Sequence, residues 1–264
     1  MSRSSAYRKL WIYLAATWLI SWTSWWVLVL LVRQAAWRSP SLPFVTLYAL
    51  GGLGPTIAAY IAVLNTASLT EFNAHLFRWR LGIGWYLAGF GLPVLTSLLA
   101  LAMSHFESIA AVLSNLSMWY RFAEFFPVMV LGGGLEELGW RGVALPELQR
   151  RFVPFRAAVI VGIVWAVWHV PLFFLPGVSQ YGAHFLPFAL QTMGLALVLG
   201  WLYNHTGSIL LCIILHAASN SAAIAIPNGK ATFVSAGAAL WIVAGVLLFV
   251  VAPARGEMRQ AASR

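Results

Sequence analysis

The sequence predicts an all-α, polytopic membrane protein: a bundle of about eight transmembrane helices with its polar site inside the bundle. Composition is the first reason. Of 264 residues, 61% are hydrophobic and only 9% charged, and mean hydropathy is +0.82. An ordinary soluble domain is about 45–50% apolar and about 25% charged, so a water-soluble globule of this size would lack the charge to cover its surface. Apolar runs are the second reason. They recur at 10–32, 45–66, 84–103, 124–142, 157–176, 185–204, 207–226 and 233–252, each close to the roughly 20 residues that a membrane-crossing helix needs. The third is that ionisable groups inside those runs gather in three places rather than scattering.

The first run follows a basic start (Arg3, Arg8, Lys9) but spans 10–32, longer than the 7–15 apolar residues of a signal peptide, so it reads as a retained span. Pro40 and Pro43 punctuate the next loop, Pro146 and Pro154 bracket a basic loop, and Pro176, Gly177 and Gly182 mark a short turn. Gly51, Gly52 and Gly54 are expected where helices approach closely. The 14 Trp, Trp22, Trp25 and Trp26 among them, are expected mostly in an interfacial belt or facing lipid. Internal repeats, low-complexity tracts and an appended soluble domain are not evident, and residues 1–264 read as one integral-membrane domain.

Basic residues set the expected orientation. With eight spans and an inner N-terminus, the inner segments hold Arg3, Arg8, Lys9, Arg78, Arg80, Arg150, Arg151, Arg156, Arg255, Arg259 and Arg264; the outer ones hold Arg33, Arg38, Arg121 and Lys230. That bias favours both termini in the cytoplasm. It also accounts for the net charge of +9, which would otherwise suggest a nucleic-acid partner; none is expected. The single cysteine, Cys212, excludes an intramolecular disulfide framework. All seven acidic residues are Glu, which excludes aspartyl-dyad chemistry. No Gly-x-Ser-Gly, Walker or dinucleotide pattern occurs.

A charged side chain at a bilayer centre costs about 2.5–3.5 kcal/mol on insertion scales, so the polar residues within the runs call for a reason. The stretch Gly132-Gly133-Gly134-Leu135-Glu136-Glu137-Leu138-Gly139-Trp140-Arg141-Gly142 holds the first group. Glu137 and Arg141 are four apart and share a helical face, where they can pair. Glu136 points about 100° away with no local cation, a placement that suits a general base; two glutamates snorkelling at a helix end is the alternative. Trp165 and His169, one turn apart, form the second group. A lone histidine in an apolar helix can equally be an interior residue bonded to a backbone carbonyl. His216 and Asn220, four apart with small residues between, form the third, and interhelical polar packing is their competing reading. Taken together, two carboxylates, two imidazoles, an amide and a guanidinium are the parts needed for water activation and oxyanion stabilisation. His75, His105, His184 and His205 lie at loops or span ends and read as interfacial, and Cys212 as a packing residue.

In these residues the sequence resembles the CPBP family, the type II CAAX prenyl proteases and bacteriocin-processing (Abi) intramembrane endopeptidases. The resemblance covers about 125–226, with Glu136-Glu137…Arg141, Trp165…His169 and His216…Asn220 standing for the family's three motifs. Trp168-His169-Val170-Pro171-Leu172-Phe173-Phe174 and Trp201-Leu202-Tyr203-Asn204-His205-Thr206-Gly207-Ser208 look like bacterial members too. Trp165 departs from the family's usual Phe, an aromatic exchange that bears on substrate fit.

The resemblance implies an intramembrane endopeptidase that hydrolyses a peptide bond of a membrane-associated substrate. Glu136 would deprotonate water, His169 would position it, and His216 and Asn220 would bind the oxyanion; Glu137 and Arg141 would brace the cavity, and Trp165 would meet substrate. No cofactor is favoured; zinc, if bound, would sit on Glu136, His169 and His216. The expected partners are the bilayer and a peptide or protein with a membrane-associated C-terminus, lipidated or not. The expected location is a bacterial inner membrane. A non-catalytic membrane binding or immunity protein on the same fold is the alternative, and a Glu/His proton-relay transporter would call for inverted repeats.

Overall fold

The computed structural model describes residues 7–34, 40–66, 69–105, 108–226 and 231–253. Of the basic residues used for orientation, Arg3, Arg38, Lys230, Arg255, Arg259 and Arg264 lie outside the described residues. Among the described residues the chain is helical and contains no strand. Helix α1 (Arg8–Arg33) is followed by α2 (Leu42–Gly52), α3 (Gly54–Thr66), α4 (Leu69–Leu76), α5 (Ile83–His105), α6 (Ser108–Ser114) and α7 (Leu116–Gly132). Two short pieces, α8 (Glu137–Gly139) and α9 (Leu145–Gln149), then lead to α10 (Pro154–Trp168), α11 (Phe185–Thr206), α12 (Ile209–Ala225) and α13 (Ala231–Val251).

Each of the eight apolar runs contains a helix. Four helical stretches are long and apolar enough to cross a membrane: Arg8–Arg33, Ile83–Ser104, Pro154–Phe174 and Phe185–Thr206. The pair α2 and α3, bent by 45°, passes the same test when taken together, as a broken span or a re-entrant loop, and Ile209–Ala225 and Ser235–Val251 are shorter apolar helices. Large apolar side chains such as Leu19, Leu50, Leu95, Leu131, Ile163 and Leu247 stand exposed on the outer faces. In water that would be costly; against acyl chains it is not. The protein is an integral, multi-pass membrane protein.

The α2–α3 bend follows from local chemistry and from α1. A side chain at Gly51 would place its Cβ 2.2 Å from the Trp25 indole, and one at Gly54 would stand 2.0 Å from Ser21 Oγ. Both glycines thus serve close approach, whereas Gly52 meets nothing. Ser21 Oγ donates to the Gly51 carbonyl (2.7 Å) and Trp25 Nε1 to that of Tyr48 (3.1 Å). Here the belt expectation fails for three α1 tryptophans: Trp25 is buried, Trp22 Nε1 bonds the Trp168 carbonyl (3.1 Å) and Trp26 packs near Phe174. Trp11 and Trp79 do stand exposed.

The run 124–142 is not one helix. Helix α7 begins earlier and stops at Gly132; a 3-10 turn (Gly134–Glu136), α8, a π-type turn (Trp140–Ala144) and α9 follow. Three consecutive glycines weaken helix propagation by roughly 1 kcal/mol each, and π-type turns recur at functional sites. Similarly, α10 stops at Trp168 and continues as a 3-10 turn, Val170–Phe174, led by Pro171. Around this broken stretch α12 packs against α7 and α5, α11 against α10 and α13, and α1 against α3.

Candidate active site

Glu136 ends the 3-10 turn with its side chain inside the bundle, 6% exposed. Its Oε2 accepts from the indole N–H of Trp165 (2.7 Å, α10) and from that of Trp140 (3.4 Å, the π-type turn). Glu137, fully buried, faces elsewhere. Its Oε1 accepts from Arg141 Nη1 (3.0 Å) and meets His216 Nδ1 (2.8 Å), and its Oε2 lies 2.8 Å from the same guanidinium nitrogen. The i,i+4 pair expected from spacing is therefore present, and a histidine 79 residues away completes it. Arg141 is also fully buried; its Nη2 donates to the Ala196 carbonyl (3.4 Å) and its guanidinium lies 5.0 Å from the Trp165 ring centroid.

His169 caps α10. Its Nδ1 lies 2.9 Å from the Trp165 carbonyl, and Trp168 and Phe188 pack edgewise on its ring at 4.6 and 4.9 Å. A carbonyl only accepts, so Nδ1 carries the hydrogen and Nε2 of the neutral ring is the acceptor. His216 Nδ1 faces a carboxylate, so it too carries hydrogen; its Nε2 donates only when the ring holds a second proton. His216 and Asn220 converge on Gly133: a Cβ there would stand 2.5 Å from Asn220 Nδ2 and 3.2 Å from His216 Nε2.

The structure thus gathers all the sequence-predicted residues. Trp165 is the hinge of the group, touching Glu136, His169 (6.2 Å) and His216 (5.1 Å, edge-on). It was expected as a residue that meets substrate; it is 2% exposed and bonded to Glu136. Sequence reasoning missed four contributors: Trp140, Gly133, and two braces from outside the motifs. Thr56 Oγ1 of α3 donates to the Leu135 carbonyl (2.8 Å), and Trp22 of α1 to that of Trp168. Each brace holds the peptide just before a motif residue, Glu136 or His169. The glycine triplet was a visible signal for Gly133; nothing local marks Thr56 or Trp22.

Among the described residues, no three His, Cys, Asp or Glu side chains stand close enough together to hold a metal ion. Glu136, His169 and His216 as placed are not such a group. Cys212 is buried with its thiol toward the Leu199 carbonyl (3.7 Å), a packing role. His75, His184 and His205 sit at helix ends, as expected.

A multi-pass helical membrane protein with a buried Glu/His/Arg/Asn cluster is the class that fold and site define. Residues 117–222 match the family model described as Type II CAAX prenyl endopeptidase Rce1-like. A protein of Methanococcus maripaludis named CAAX prenyl protease 2 is 36% identical over 107 residues, 37% of this chain. The matched stretch spans 40% of that relative's length. Through this stretch, which holds every motif residue, the chain is similar to the type II CAAX prenyl endopeptidases.

Proposed function

We propose that the protein is an intramembrane endopeptidase that hydrolyses a peptide bond in a membrane-associated protein, using Glu136 as general base and no metal. The observation that carries this reading is the buried Glu136 carboxylate, oriented by indole donors beside two histidines. Glu136 takes a proton from water while His169 Nε2 accepts the water's second hydrogen bond and orients it. The oxygen attacks the peptide carbonyl, and its electron pair moves onto the carbonyl oxygen. In this reading His216 carries a second proton, as an imidazolium paired with the Glu137 carboxylate, so its Nε2–H donates to that oxyanion together with Asn220 Nδ2; one such donor is worth about 3–4 kcal/mol in other enzymes. The tetrahedral intermediate collapses, the C–N bond breaks, and the proton held by Glu136 passes to the leaving amine. Glu137 holds the Nδ1 side of His216, and Arg141 offsets the charge of Glu137. A low dielectric strengthens each of these interactions.

The relative's name points to substrates ending in a CAAX sequence with a prenylated cysteine. The basic end of the bundle supports access from the cytoplasmic leaflet of a bacterial inner membrane: Lys9 and Arg150 flank Glu147, and the Arg151 guanidinium covers Tyr7. The test is cleavage of a panel of prenylated and unprenylated CAAX peptides by the full chain in liposomes. Glu136→Gln should lower kcat by a factor of about 10³ or more while the thermal melting profile stays intact. Activity should survive a strong zinc chelator. Equal cleavage by wild type and Glu136→Gln would reject the reading; loss on chelation with recovery on added zinc would reject its metal-free form.

A further inference from the structure

A carboxylate has two equivalent oxygens and a broad terminal torsion, so a buried glutamate acting as base needs something to decide which oxygen meets water. In this site both indole N–H groups that reach Glu136 go to Oε2, at 2.7 Å from Trp165 and 3.4 Å from Trp140. No donor among the described residues reaches Oε1. The stronger donor is itself immobile. The Trp165 ring is 2% exposed, lies under the Arg141 guanidinium at 5.0 Å, takes His216 edge-on at 5.1 Å and lies 6.4 Å from Trp140. The two donors arrive from different segments, α10 and the π-type turn, so together they fix both the position and the rotation of the carboxylate.

We infer that Trp165, seconded by Trp140, is a positioning residue for the base: the indoles occupy Oε2 and leave Oε1 as the oxygen that takes the proton from water. This rests on the proposed peptidase reading. An apolar ring of the same shape would pack equally well beside His169 and His216, yet would leave Oε2 with only the long Trp140 contact and the carboxylate freer to turn. The N–H, not the ring, is what the inference requires.

The experiment replaces Trp165 by site-specific incorporation of benzothienylalanine, an isostere with sulfur in place of the N–H, in the full chain in liposomes. Trp reinserted by the same route is the control, with Trp165→Phe, Trp140→Phe and Glu136→Gln alongside. The isostere should lower kcat about tenfold or more, the scale of one charge-assisted hydrogen bond, with KM within about twofold and an unchanged melting temperature. Trp165→Phe should behave alike, Trp140→Phe should lose less, and reinserted Trp should restore the wild-type rate. Unchanged kcat in the isostere, or a change in KM alone, overturns the inference while leaving the peptidase reading intact. A wild type that cleaves nothing, or no better than Glu136→Gln, overturns both.

Discussion

Arg141 and Glu137 are both fully buried, and His216 Nδ1 sits on the same carboxylate. Removing one partner of such a pair leaves an uncompensated charge, at a cost of about 3–5 kcal/mol. Arg141→Ala should therefore lower thermal stability in detergent markedly, whereas the exposed Arg121→Ala should leave it nearly unchanged; melting curves check both. Gly133 acts by having no side chain. A methyl there would stand 2.5 Å from Asn220 Nδ2, while at Gly132 it would meet only the Met129 terminal methyl, at 3.6 Å. Gly133→Ala should cut kcat by about 10²-fold, the scale of one lost oxyanion donor, and Gly132→Ala should not; steady-state kinetics separate them. The i,i+4 spacing of Glu137 and Arg141 was legible in the sequence because a single turn of helix enforces it. The preference of His216 for Glu137 over Glu136 was not, because two adjacent glutamates look alike until the chain turns one toward α12 and the other toward α10.

At the scale of elements, the site is built where helices stop. Helix α7 ends at the glycine triplet and α10 ends at His169, and the peptides next to both ends are held by helices outside the family match. Thr56→Val keeps the shape but strips the donor from the Leu135 carbonyl, so it should cost about 1–3 kcal/mol of stability and lower kcat with little change in KM. A retained kcat would assign Thr56 to packing alone. The hydropathy run 124–142 read as one span because mean apolarity is blind to backbone conformation. Glycine propensity and the i→i+5 turn at Trp140–Ala144 are settled by what packs against them, here Ile209 and Phe72 around Gly142. Run boundaries for α1, α5 and α11 were readable because long apolar helices in lipid need no tertiary partner to satisfy their backbone.

Over the whole molecule, polarity is sorted along the bundle. Lys9, Glu147, Arg150 and Arg151 cluster at one end, tied to the end of α11 by Gln149 Nε2 donating to Asn204 Oδ1 (2.9 Å). Tyr181 is exposed in the turn between α10 and α11. In a Cys212→Ala background, Tyr181→Cys should react with an impermeant maleimide added outside intact cells, and Arg150→Cys only after permeabilisation; the reverse pattern would invert the topology. The sequence by itself determined the membrane class, the helical runs and the identity of the motif residues. Composition and spacing act along the chain, and one residue type in lipid leaves few choices. The tertiary structure alone decided that Trp165 and Trp140 take one oxygen of Glu136, that His216 sits on Glu137, and that Thr56 and Trp22 brace the peptides between. Apart from Trp140 these bonds join residues 29 to 146 positions apart, and helix packing, which no local periodicity encodes, is what brings them within 3.1 Å of one another.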